Sequence, residues 1–293
     1  MSNFGNLLLA GITSGAIYAV FAACLSIWFR VANVLNLAIG DFAMIGAIGT
    51  AELAQDAHMP LWLAILIPLV ASGLIAWAFD WVVLHPALDG GRGHSGIVSV
   101  FFYTFALSFI LEGAARIVFG TDVHAAPALW SGNALSFGSL HIERAGILVL
   151  GLAIVIGGLA AGYLYYTMSG KAATASGESV IGSRVVGINT HKLRRQIFVT
   201  TAVIAALFGV VESPLTGFTF SSGPTISLIG VVAAGFAGFR RPGRAVVAGL
   251  LIGLAESFLG GYLSTSYNEI LLYALLAVVI MIRPGVLGIA TAH

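Results

Sequence analysis

Runs of about 20 apolar residues, separated by short polar breaks, recur through this chain of 293 residues, and they restrict its fold more than any motif does. In hydrocarbon each backbone polar group must be satisfied within its own segment, so runs of that length are read as membrane-crossing helices. The pattern predicts spans near 5–29, 34–53, 61–83, 96–119, 146–166, 197–211, 226–239, 245–262 and 270–282. The seventh has about two-thirds of the length a crossing needs, which predicts a broken or re-entrant helix and leaves the count at eight or nine. With 9% charged residues and a mean hydropathy of +1.00, a soluble globule is excluded, since its charged fraction would be about a quarter. The expected fold is all-α and polytopic, with some helices short or broken.

Charge orients the array, because Lys and Arg collect on the cytoplasmic side. Nine crossings with residues 171–195 inside place 11 of the 13 Lys and Arg inside, leaving only Arg116 and Arg144 outside. This parity predicts an outer N-terminus and an inner C-terminus. The first apolar run lacks a basic leader and a cleavage site, so it is read as a retained span. The polar connections near 120–145 and 167–196 are too short to bury cores of their own. Residues 1–293 are therefore expected to form one transmembrane domain.

Chemistry is nearly absent from the motif inventory. Gly170-Lys171 lacks the earlier Gly and the following Ser or Thr of a phosphate loop, so no ATP hydrolysis is expected in this chain. No His-Glu-x-x-His pattern occurs, and the single Cys24 rules out a thiolate zinc site and an internal disulfide. Neither a catalytic residue nor a metal site is expected. A net charge of +1 argues against a nucleic-acid partner. The acids Asp41, Asp80, Glu112 and Glu256 stand inside apolar runs, where a charge is costly unless it is paired or faces water. Glu112 and Arg116, spaced i and i+4, are expected to pair. Asn36, Asp41 and Glu256 are the candidate residues of a translocation path; Asp41 reads equally as a cap on the amides of a Gly-rich helix. Residues 34–41 and 219–224 are both irregular stretches following a span. They suggest an internal repeat, or arise by chance in a chain this rich in glycine.

The segment 170–195 is the long polar, basic exception. Ala175, Ser176 and Gly177 supply small residues for close approach, and Glu178 and Arg184 supply charge. Gly187, after a short helical run, is suited to a left-handed cap, and Asn189 closes the run. The segment reads either as a short helix entering the cleft of a soluble partner or as a solvated loop held by lipid phosphates.

Small residues before Glu178 and the closing Gly187-Ile188-Asn189 resemble the cytoplasmic coupling segment of branched-chain amino acid (Liv-type) ABC transporter permeases. Further likeness lies in Asn36-Leu37-Ala38-Ile39-Gly40-Asp41, where Ile39 replaces the family's His. It continues in Asp80, Trp81, His85 and Pro86, in Gly238, Pro242, Gly243 and Gly249, in Leu254-Ala255-Glu256, and in Arg283-Pro284-Gly285. Arg240 and Arg241 stand where that family has small neutral residues. The resemblance implies the permease subunit of a binding-protein-dependent ABC importer in the bacterial inner membrane, moving branched-chain amino acids or a related small solute. It further implies no cofactor in this chain, with ATP-Mg in two partner ATPase subunits, a second related permease chain, a periplasmic or surface-attached solute-binding protein, and membrane lipid around the spans. On that reading Ala175, Ser176, Gly177, Glu178, Arg184, Gly187 and Asn189 couple to the ATPase. The competing readings are an ion-coupled secondary transporter, with Asp41 and Glu256 as ion ligands, and a non-transporting membrane scaffold.

Overall fold

A computed structural model describes residues 2–89, 93–129, 135–137, 140–142, 144–178, 180–185, 187–262 and 267–282. Long apolar runs become helices: α1 (Ser2–Ala32), α2 (Ile39–Gln55), α3 (Leu61–Phe79), α4 (His85–Asp89), α5 (Gly93–Phe119), α6 (Arg144–Tyr166), α7 (Met168–Glu178), α8 (Val180–Val185), α9 (Thr190–Thr216), α10 (Ser222–Ala237), α11 (Pro242–Tyr262) and α12 (Tyr267–Ile282). A two-stranded antiparallel hairpin, Leu135–Phe137 with Leu140–Ile142, precedes α6. Among the described residues six helices are long and apolar enough to cross a membrane, and the short α2, α10 and α12 fall on the remaining expected spans.

Two boundaries differ from the sequence expectation. The second span begins at Ile39, not at residue 34, because the Asn36 side chain accepts from the Ala38 N–H (3.1 Å) and holds residues 33–38 out of the helix. The sixth is far longer than residues 197–211, since Asn189 caps it by accepting from the Lys192 N–H (2.9 Å) and the helix continues through Pro214 to Thr216.

Contacts sort the helix ends into two faces. At one, Asn33 Nδ2 donates to the Gly177 carbonyl (3.3 Å), Arg240 donates to Asn33 Oδ1, and Arg194 meets Asp80 at 3.4 Å. At the other, the His124 and Phe218 backbones pair, His124 meets Glu52 at 2.8 Å, and the Ala126 N–H donates to Ser213 Oγ. The first face gathers Arg30, Lys171, Lys192, Arg194, Arg195, Arg240, Arg241 and Arg244. Arg116 and Arg144 lie toward the second. The positive-inside rule assigns this first face to the cytoplasmic side. Arg92 and Arg283 lie outside the described residues.

The second half of the chain repeats the first upside down. Descending α1 is followed by a break, short α2 and α3; ascending α9 is followed by a break, short α10 and α11. α1 packs on α10 and α11, while α9 packs on α2 and α3. The two irregular stretches suggested an internal repeat or chance; the helices around them follow the same order with reversed direction, the form an inverted repeat takes. Glycines permit the close crossings. A Cβ at Gly46 would overlap the Ala206 carbonyl, one at Gly209 the Ala43 carbonyl, and one at Gly253 the Gly15 backbone, so helices held together by packing in lipid approach to backbone contact. Around these crossings lies an aromatic core in which Phe198 touches Trp28, Phe42 and Phe79, at centroid distances of 4.8, 6.2 and 6.1 Å. Trp62, Leu66, Val70 and Leu74 on α3 and Ile154 and Leu159 on α6 are exposed, as surfaces facing lipid tails should be.

Candidate functional site

α2 rises about 24 Å from Ile39 to the outer face and α10 falls about 22 Å from Ser222 to the inner face, so both begin near the midplane of a membrane about 40–45 Å thick with its headgroups. Their first turns touch. The Gly40 N–H donates to Ser227 Oγ (2.8 Å), and a Cβ at Gly40 would overlap the Gly223 carbonyl oxygen. Asp41, the third residue of α2, lays its carboxylate against Gly223 in the first turn of α10, with Ser108 of α5 beside it. Two helix N-termini, each carrying about half a positive charge, thus flank one carboxylate. Asp41 and Asn36 are both 0% exposed. Among the described residues, neither Asp41 oxygen nor Asn36 Nδ2 makes a hydrogen bond of ordinary geometry.

Glu256, the third path candidate, stands apart from this junction. The Tyr18 hydroxyl of α1 hydrogen-bonds it, and Glu212 of α9 lies near both. Glu212 was not among the sequence candidates. It is buried, and its Oε2 makes no hydrogen bond among the described residues. The available signal was an acid amid Gly209-Val210-Val211 and Ser213-Pro214, inside an apolar run. Arg116, expected to serve Glu112, carries its guanidinium 5.4 Å from the centre of the Phe220 ring, a cation–π arrangement beside the second break.

In the cytoplasmic segment, Ala175 is exposed while Ser176 and Gly177 are buried. A Cβ at Gly177 would overlap the Arg30 carbonyl, so this residue seats α7 on the end of α1. The close approach that Gly177 permits is thus made by this chain itself. The side chains of Glu178 and Arg184 lie outside the described residues. Gly187 has φ +81°, the left-handed conformation expected of it, and the Ile188 N–H returns to the Ser183 carbonyl (2.9 Å). Asn189 is the α9 cap. Beyond the small residues, Val185 is 81% exposed.

The segment is tied to the membrane core through α9. A π-helical turn, Asp80–Leu84, extends α3 and turns Asp80 inward to Arg194, and the rings of His85 and His191 lie 5.1 Å apart. Both partners of the ion pair are buried. Breaking such a pair strands a buried charge at a cost of about 3–5 kcal/mol. Asp80→Ala is thus expected to lower the thermal midpoint sharply, whereas the paired change Asp80→Leu/Arg194→Met should recover most of the loss. A midpoint unchanged in Asp80→Ala would show that the pair contributes nothing.

The chain matches the family model described as "Branched-chain amino acid transport system / permease component" over residues 7–280. It is 26% identical to the high-affinity branched-chain amino acid transport system permease protein LivH of Salmonella typhimurium, covering 95% of this chain and 93% of that protein. It is also 26% identical to the corresponding permease protein BraD of Pseudomonas aeruginosa, covering 96% and 94%. Among solved structures, a chain of PsaBC from Streptococcus pneumoniae in complex with Fab superposes with a TM-score of 0.50 at 13% identity, covering 94% of this chain and 91% of that one. That likeness concerns the fold alone.

Proposed function

This chain belongs to the permease-component family of branched-chain amino acid transport systems and is a multi-pass membrane subunit of an ABC importer, and on that premise we propose that its solute is a branched-chain amino acid or a similar small aliphatic molecule. The observation that carries the reading is the family match across nearly the whole chain, and the inverted pair of midplane helix starts supplies a mechanical rationale for it. The whole chain, 1–293, acts as one permease domain. It is a pore subunit and not an enzyme. It pairs with a second, related permease chain, receives solute from a binding protein, and depends on two ATPase subunits for ATP-Mg chemistry.

In this mechanism Asn36 and Asp41 hold the junction where α2 and α10 start, so the path opens by parting these two turns. The Tyr18, Glu212 and Glu256 group offers acceptors for the solute's ammonium. Ala175, Ser176, Glu178 and Arg184, with Val185 as apolar anchor, meet the ATPase cleft. Gly177, Gly187 and Asn189 give the segment its shape. An ion-coupled carrier is not favoured by the family to which the chain belongs.

The test is uptake of labelled leucine into proteoliposomes holding the assembled complex and the binding protein. Uptake should require internal or external ATP on the ATPase side and survive a protonophore and a sodium ionophore, and Glu256→Gln should reduce it several-fold with assembly intact. Uptake that persists without ATP and collapses with an ionophore would replace this mechanism with ion coupling.

A further inference from the structure

Along one flank, α1, α6, α9 and α11 leave a groove of about 1040 Å³. On α1 it runs from Ile12 to Ile27, about 22 Å of helix rise, which exceeds the roughly 15 Å depth of one leaflet's hydrocarbon. Its walls are overwhelmingly apolar. On the α6 wall a Cβ at Gly157 or Gly158 would meet open space. Toward the cytoplasmic end the lining becomes polar, with Ser169, Gln196 and Thr200.

Cations stand near the inner ends of the same helices. Lys192 lies one turn inward of Gln196 and two turns inward of Thr200 on α9, Arg30 follows Ala23 and Ile27 on α1, and Arg244 is next in sequence to the lining Gly243 on α11. Lys192 and Arg244 are exposed. Among the described side chains at this end, the acid Asp80 is already engaged by Arg194.

We propose that this groove holds an anionic phospholipid of the inner leaflet, its acyl chains on the apolar wall and its headgroup phosphate between Arg30, Lys192 and Arg244. The groove's length, about 22 Å along α1, covers the depth of one leaflet's hydrocarbon, as extended acyl chains require. Charge complementarity selects the headgroup, because anionic lipids concentrate in the cytoplasmic leaflet and basic clefts between helices on that side bind them.

The experiment uses the full chain in nanodiscs of phosphatidylcholine containing a minor fraction of phosphatidylglycerol, followed by mild detergent release and mass spectrometry of retained phospholipid. Phosphatidylglycerol should be enriched about tenfold over its share of the disc. Lys192→Gln/Arg244→Gln should bring the ratio near unity, and Gly157→Leu, which fills open groove, should lower retention of both lipids at an unchanged thermal midpoint. Retention without headgroup preference in the wild-type chain, or no retained phospholipid, would overturn the proposal. So would a Gly157→Leu chain that keeps its lipid but no longer associates with the second permease chain, which would make the groove a subunit interface. Lipid composition is the readout, so the outcome is independent of the transport assay.

Discussion

Gly40→Ala is expected to remove most folded permease from the membrane, and to abolish uptake by whatever remains. A methyl group at this position would overlap the Gly223 carbonyl oxygen and fall 2.7 Å from the Ser227 backbone nitrogen. Both neighbours belong to the α10 backbone, so no side chain can rotate away. Overpacking in a dense core costs about 1–3 kcal/mol where the surroundings can shift; here two helices would have to separate at the point where both begin. Gly223→Ala should follow in severity, since its Cβ would strike the Asp41 carboxylate and lie 2.9 Å from the Asp41 Cα. Gly157→Ala is the matched control, because its Cβ meets open space. The measurement is the yield of monodisperse protein and its thermal midpoint. A Gly40→Ala chain as stable and as active as the control would mean that α2 and α10 do not meet closely in the working protein.

The same residues mark the boundary of what the sequence made legible. Hydropathy located every long helix because lipid imposes a one-dimensional rule, about 20 apolar residues per crossing, and the scarcity of charge made the Lys and Arg parity easy to read. The two irregular stretches were visible as Gly, Asn, Ser and Pro in apolar surroundings. Their meeting was not, because Gly40 and Gly223 are 183 positions apart and close approach leaves no sequence mark beyond glycine itself, which this chain has in 37 places. Gly187 was read correctly since a left-handed cap depends only on local geometry. Gly177 is harder to read for the opposite reason: whether a small residue awaits a partner or already touches its own chain depends on where α1 ends. Glu212 escaped notice because an acid gains meaning from what faces it, and Tyr18 and Glu256 come from other helices.

Val185→Glu is expected to cut solute-stimulated ATP hydrolysis by about tenfold in the reconstituted complex, equivalent to about 1.4 kcal/mol of lost coupling, with no change in thermal midpoint. Folding should be unaffected because Val185 is 81% exposed and so contributes little packing to this chain. Coupling should suffer because an apolar side chain displayed at the cytoplasmic face, near the end of the short helix α8 and ahead of the Gly187 turn, has the character of an interface anchor, and placing a carboxylate there buries an unpaired charge when the partner closes on it. Glu178→Lys should act in the same direction by reversing the charge at the end of α7. Gly177→Trp should behave differently, losing folded protein through its collision with the Arg30 carbonyl, and therefore cannot report on coupling. Separating the three variants by stability first and by stimulated ATPase second distinguishes a docking surface from a structural seat. Wild-type stimulation in both Val185→Glu and Glu178→Lys would assign the segment to a solvated loop and move the ATPase contact to another part of the cytoplasmic face.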